Sequence, residues 1–259
     1  MFEKELESAI KAGRDAIDVI LKVYNEPFDV EIKDDNSPVT KADKMADALI
    51  RKELSNSFPN YALLTEESED DKSRLSNDYV WIVDPVDGTK DFVSRDGGFT
   101  TNIALSYKHE AVLGVVVIPL SKEIYYAVKG MGAYKINADG SVARIHVNDK
   151  TDNLICLKSV FHSNEKEEEV YKKHSDKIKE IKKVGSSIKA CYIAEGKAEI
   201  SYRMSDGTKE WDTAAFQIIV EEAGGFVLKF DGTKMMYNRE DVYNHGGYII
   251  LNKKENFLI

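Results

Sequence analysis

The sequence predicts a layered α+β fold, and three observations carry that prediction. Helical and strand patterns come in blocks, not in strict β-α alternation, which argues against a doubly wound parallel sheet. A β-rich block punctuated by Pro119 and Gly130 fills the middle of the chain, and after Asp149 the mixed pattern starts again. With 259 residues, 42% of them hydrophobic and 31% charged, the chain can bury a real core in one large unit or two modest ones.

The first element is an amphipathic helix over residues 3–24, where Leu6, Ile10, Ile17, Ile20 and Tyr24 follow helical spacing with Gly13 on the same face. Pro27 ends it. A polar stretch, Lys33-Asp34-Asp35-Asn36-Ser37-Pro38, leads to a second helix over about 42–54, with Thr40 as its N-cap. Apolar runs at 61–64, 80–83, 101–107, 112–118, 124–128, 131–134 and 142–147 read as strands. A strand at 154–158, a charged surface helix at 166–174 and a helix running from Gly185-Ser186-Ser187 to Ala194 follow. Residues 199–203 read as a strand. Trp211, Ala214, Ala215, Ile218 and Ile219 share one face of a helix over 210–223, which Gly224-Gly225 stops. Strands at 227–230 and 248–251 close the chain. A boundary near residue 150 divides it into units 1–150 and 151–259, without a flexible linker.

Composition excludes several function classes. The formal net charge of −9 argues against a general nucleic-acid binder. It leaves room for an anionic substrate, because carboxylates that hold divalent cations become locally positive. The two cysteines, Cys156 and Cys191, are far apart and form no disulfide framework, so a reducing cytoplasm is the expected compartment. The charged start, Met1-Phe2-Glu3-Lys4-Glu5, lacks a signal-peptide core, and no run approaches the ~20 apolar residues of a membrane span.

The chemistry concentrates in Trp81-Ile82-Val83-Asp84-Pro85-Val86-Asp87-Gly88-Thr89. A strand pattern is expected to stop at Pro85, and the turn can aim Asp84 and Asp87 at one spot. The Gly88 and Thr89 amides can then hold a phosphate oxygen. An ordinary Asp-Gly turn is the plain alternative. The Asp-nucleophile phosphatases, whose motif carboxylates lie two apart, are disfavoured by the spacing of three. Thr65-Glu66-Glu67-Ser68 sets adjacent carboxylates at a strand end, where they bind a hard cation or form a solvated acidic loop. Asp212 either ligates or answers a helix dipole. Asp43 with Thr40 makes a Thr-x-x-Asp capping box.

The order of these pieces is specific: Asp43, Glu66-Glu67, Asp84-Pro85-Val86-Asp87-Gly88-Thr89, then Trp211-Asp212-Thr213-Ala214-Ala215. In that order the chain resembles the inositol monophosphatase superfamily of lithium-sensitive, magnesium-dependent phosphatases, from Ser37-Pro38-Val39-Thr40 to Gly224-Gly225. The resemblance implies an αβαβα sandwich with two mostly antiparallel sheets. It places metal motifs in an N-terminal subdomain, 1–150, and the rest of the metal and substrate site in a C-terminal subdomain, 151–259. It implies two to three Mg²⁺ ions held by Glu66, Asp84, the Val86 carbonyl, Asp87 and Asp212. Thr89 polarised by Asp43 would orient the attacking water, Glu67 would stand behind the ligands, and the Gly88 and Thr89 amides would bind phosphate.

Within the superfamily, Asp87-Gly88-Thr89-Lys90-Asp91-Phe92, Gly97-Gly98-Phe99-Thr100-Thr101-Asn102, Ser159-Val160-Phe161-His162 and Gly185-Ser186-Ser187-Ile188-Lys189 are most similar to the 3′(2′),5′-bisphosphate nucleotidases of sulfur assimilation. That likeness implies hydrolysis of 3′-phosphoadenosine 5′-phosphate to AMP and phosphate, with His162 near the base and Ser187, Lys189 and Arg203 near the second phosphate. The chain departs from the pattern at Arg203-Met204-Ser205-Asp206-Gly207-Thr208, where relatives often carry Arg-Phe-Gly-Pro. An inositol or sugar phosphatase, with Glu210 on the sugar hydroxyls, is the alternative. A non-catalytic regulator on the same fold is a third reading, against which the intact acidic residues and net acidity speak. The expected partner is a small phosphorylated substrate, with no nucleic acid and no membrane, and the protein is expected to be a monomer or homodimer.

Overall fold

A computed structural model describes residues 2–33 and 38–259, so the polar stretch at 34–37 lies outside the described residues. Helices α1 (Glu3–Tyr24) and α2 (Lys41–Ser57) flank a short antiparallel pair, β1 (Val30–Ile32) and β2 (Pro38–Thr40). Thr40 caps α2 as expected: its hydroxyl accepts from the Ala42 amide at 3.1 Å, and Asp43 reaches back to the Thr40 amide at 2.8 Å.

The larger sheet has seven strands in the order β3 (Ala62–Thr65), β4 (Tyr79–Asp87), β5 (Thr100–Tyr107), β6 (Glu110–Ile118), β7 (Glu123–Val128), β8 (Gly132–Ile136) and β9 (Val142–Ile145). Only β3 and β4 pair in parallel there. A short helix α3 (Thr89–Ser94) follows β4, and β10 (Leu154–Lys158), α4 (Glu165–Lys173), β11 (Ile178–Lys183), α5 (Ile188–Ala194), β12 (Ile200–Arg203), α6 (Glu210–Glu222), β13 (Phe226–Leu228) and β14 (Tyr248–Leu251) complete the chain. The second sheet runs β11-β10-β12-β14-β13 and is mixed, with β10 parallel to both neighbours and β14 antiparallel to its two.

Burial explains the stacking. Trp81 and Val83 face α1 and α2, whereas Val80 and Ile82 face α5 and α6, so β4 is apolar on both sides and reads as a continuous run. Helices α5 and α6 lie between the sheets, sharing one core with Leu157, Tyr248 and Ile250 of the smaller sheet. Tyr171 of α4 packs on that sheet's outer face with Cys156, Ile200 and Ile249. The result is the αβαβα sandwich. Gly114 permits the close approach of β6 to α6: a Cβ there would sit 2.1 Å from the Ala215 carbonyl oxygen.

Five elements differ from the sequence reading. Strand β4 does not stop at Pro85 but runs to Asp87. Strands β1 and β2, helix α3 and strand β11 were not foreseen. Strand β11, Ile-Lys-Glu-Ile-Lys-Lys, is an exposed, lysine-rich sheet edge whose apolar content is too sparse for a strand signal. Among the described residues no helix is long and apolar enough to cross a membrane.

Candidate metal centre and substrate cleft

Strand alternation puts residues three apart on opposite faces. Asp84 and Asp87 nonetheless converge, because β4 carries one extra residue: Asp84 pairs with Asn102, and Asp87 pairs with Thr100. That bulge restores a common face for the two carboxylates and gives Pro85, which has no amide proton, a position the ladder tolerates. The Thr101 hydroxyl secures the bulge on the Pro85 carbonyl oxygen at 2.8 Å.

Asp212, in the first turn of α6, joins them. Asp84, Asp87 and Asp212 each offer a carboxylate oxygen within 4.8 Å of the other two. At that spacing each ionised pair repels by roughly 3 kcal/mol at an effective dielectric of about 20. Burial, followed by Glu66, Asp87 and Asp212, drives the Asp84 carboxyl far above the ordinary range. Burial and then Asp87 and Glu66 push Asp212 up to about 8. One oxygen of Asp84 accepts from the Val86 amide at 3.1 Å, and the other is buried without a hydrogen-bond partner. An oxygen-only donor set with such an orphaned acceptor fits a hard divalent cation.

Glu66 follows β3 and faces the same cleft, outside the mutual reach of the three aspartates. The adjacent acids have a lysine between them: Lys33 Nζ lies 3.0 Å from Glu66 Oε1 and 2.5 Å from Glu67 Oε1. Glu67 does not line the cleft; burial, only partly offset by Lys33, raises it to about 7. Asp43 sits behind the cleft. Its Oδ1 accepts from the Thr89 hydroxyl at 3.2 Å, and the Val86 carbonyl oxygen is the hydroxyl's other acceptor at 3.3 Å. Capping and the Thr89 contact are therefore one arrangement, not competing readings of Asp43.

The cleft encloses about 290 Å³. Glu66, Asp84, Val86, Asp87, Gly88, Thr89 and Asp212 line it together with Ser187, Lys189, Arg203 and His162. Lys189 Nζ donates to the Ser186 carbonyl oxygen at 2.7 Å; burial lowers its pKa to about 8. Arg203 Nη1 donates to the His162 carbonyl oxygen at 3.0 Å, and its Nε is buried without a partner. The His162 ring sits on the exposed rim and is held toward its neutral form by packing and by Arg203.

Two expectations about substrate contacts change. Glu210 does not reach the cleft: fully buried, it accepts from the Asn238 amide at 2.6 Å and from the Arg239 amide and Nε at 2.8 and 3.1 Å. Ser187 lines the cleft, yet its hydroxyl donates to Asp87 Oδ2 at 2.8 Å. The sequence reading missed Lys33, Thr100 and Asn102, although Gly97-Gly98-Phe99-Thr100-Thr101-Asn102 had been singled out. The cross-strand pairing of β4 with β5 is the signal that finds the last two.

Comparison with known proteins gives a consistent result. The model of the inositol monophosphatase family matches residues 2–258. The 3′(2′),5′-bisphosphate nucleotidase CysQ of Buchnera aphidicola is 37% identical over 256 residues, covering 96% of this chain and 94% of the relative. CysQ of Escherichia coli K12 is 36% identical, covering 93% and 97%. The crystal structure of CysQ from Bacteroides thetaiotaomicron, a bacterial member of the family, superposes with a TM-score of 0.84 at 36% identity, covering 98% of this chain and 99% of that one.

Proposed function

The chain belongs to the inositol monophosphatase family, and from that premise we propose that it is a magnesium-dependent 3′(2′),5′-bisphosphate nucleotidase that releases phosphate from 3′-phosphoadenosine 5′-phosphate. The observation that carries this reading is the cleft itself, which three converging aspartates line together with Lys189 and Arg203. Two CysQ nucleotidases at 36–37% identity support it.

Glu66, Asp84, Asp87, Asp212 and the Val86 carbonyl would hold the cations. Divalent ions bound there supply Lewis acidity, lowering the pKa of water and neutralising charge on the leaving oxygen. Asp43 keeps the Thr89 proton on its own side, so the Thr89 oxygen is left as an acceptor for the proton of an attacking water. The amides of Gly88 and Thr89 bind the transferred phosphate. Lys189 and Arg203 pair with the second phosphate, which an inositol monophosphate lacks, and His162 lies where a base can stack. Glu210 is spent on Asn238 and Arg239, which removes the acid that favoured a sugar-hydroxyl contact. Inhibition by Li⁺, a place in sulfur assimilation and a cytoplasmic location belong to the same reading.

The test is a substrate panel with purified protein, with and without Mg²⁺. Phosphate release should require the cation and favour the bisphosphate nucleotide over inositol monophosphate and AMP. Faster turnover of the inositol ester would overturn the nucleotidase assignment.

A further inference from the structure

We infer that Ser187, oriented by Asn102, is a positioning residue for the metal ligand Asp87, so that the cation site is completed by a segment of the second half of the chain. The inference rests on the cation-binding reading above. Asp87 Oδ2 accepts from the Ser187 amide at 2.9 Å and the Ser187 hydroxyl at 2.8 Å. It is also within reach of Asn102 Nδ2 and Thr100 Oγ1, both at 3.2 Å. Asn102 Nδ2 donates to Ser187 Oγ at 2.9 Å, which directs the single hydroxyl proton toward Asp87. With one carboxylate oxygen held in this cage, the other is free to ligate, and the plane of the carboxylate is set before any ion arrives.

Asp87 and Ser187 are 100 residues apart. Their meeting depends on a close backbone approach. A Cβ on Gly185 would lie 2.3 Å from the Gly98 carbonyl oxygen and 2.8 Å from the Gly98 Cα, so only glycine lets the two turns touch. Ser186 then takes φ 40, a left-handed conformation that is strained for serine, and the Ser187 bonds to Asp87 hold the turn in it. Ser187 is only 2% exposed, with its proton committed, so it offers no free donor to an anion. This assigns it to the cation end of the cleft instead of the second phosphate.

Calorimetric titration of Mg²⁺ or Mn²⁺ into the substrate-free protein tests the assignment, together with kinetics in which metal and nucleotide are varied separately. Ser187→Ala should weaken cation binding roughly ten- to hundredfold, the usual cost of losing a partner that orients a ligand. At saturating metal its KM for the bisphosphate nucleotide should change by less than about twofold. Ser187→Thr, which keeps the hydroxyl, should recover most of the affinity. Ser187→Cys fills the same space with a weaker donor and should lose affinity in the same direction, which keeps the test open should the alanine variant fail to fold. Wild-type cation affinity in Ser187→Ala or Ser187→Cys, with a raised KM, overturns the inference and makes Ser187 a phosphate contact. A wild-type chain that binds neither cation overturns the cation-binding reading itself, a different result from a Ser187 variant that binds normally.

Discussion

The carboxylate of Asp43 joins a helix start to Thr89: one oxygen accepts the Thr40 amide and hydroxyl at 2.8 and 2.6 Å, and the other accepts the Thr89 hydroxyl at 3.2 Å. Removing it should therefore cost twice. Asp43→Ala should lose about 1 kcal/mol of stability, the usual worth of a helix cap, and about a hundredfold in kcat, the scale of a lost general-base contact. Thr89→Ala should reproduce the kcat loss without the loss of the cap. Urea melts and turnover on the same preparations separate the two effects; Asp43→Ala with full turnover would take Asp43 out of the reaction.

Asp84 is buried, with one carboxylate oxygen that has no hydrogen-bond partner. Asp84→Asn should lower turnover by at least about a hundredfold, the scale reported for lost metal-orienting and charge-stabilising groups. The same substitution relieves carboxylate repulsion, so in the absence of divalent ions the variant should melt at a higher temperature than the wild type. A lower melting temperature in EDTA would overturn carboxylate repulsion as the cost carried by Asp84.

The pH dependence of stability has a definite sign. Asp212 is pushed up to about 8 from an ordinary 3.8, chiefly by burial, and Asp84 is raised in the same direction. In that window the folded ion-free chain holds protons that the unfolded chain has released. The contribution to stability is thus present at low pH and is lost as pH rises through the folded values. Cations compete with these protons for the same oxygens, so the rise in melting temperature on adding Mg²⁺ should be larger at about pH 8 than at about pH 5. Equal rises at the two pH values would count against these carboxylates as the cation site.

Glu210 is predicted to be structural. Its removal leaves the Asn238 and Arg239 amides and the Arg239 Nε without their acceptor, and Glu210→Ala should cost roughly 3 kcal/mol. The ratio of bisphosphate-nucleotide to inositol-phosphate turnover should stay the same, which a paired assay on the surviving folded fraction reads directly. A shift in that ratio would return Glu210 to the substrate.

Much of the molecule was legible locally. Helix α1 follows from its apolar spacing and α2 from its capping box, and α6 ends at Gly224-Gly225 as its stop signal requires. The order of acidic motifs also carried the family, because the residue types and spacings are set by the chemistry of hard cations. Local pattern thus specified most of the elements and the side chains able to do chemistry. Where those side chains point came from long-range packing. Asp84 and Asp87 share a face only because the pairing with β5 admits an extra residue in β4, Ser187 turns to Asp87 only because two glycine backbones touch, and Glu210 turns inward only because Asn238 and Arg239 arrive beside it. Each of these depends on contacts between segments distant in the chain. Local periodicity does not encode them, because it reports which face is apolar and not which partner the opposite face will meet.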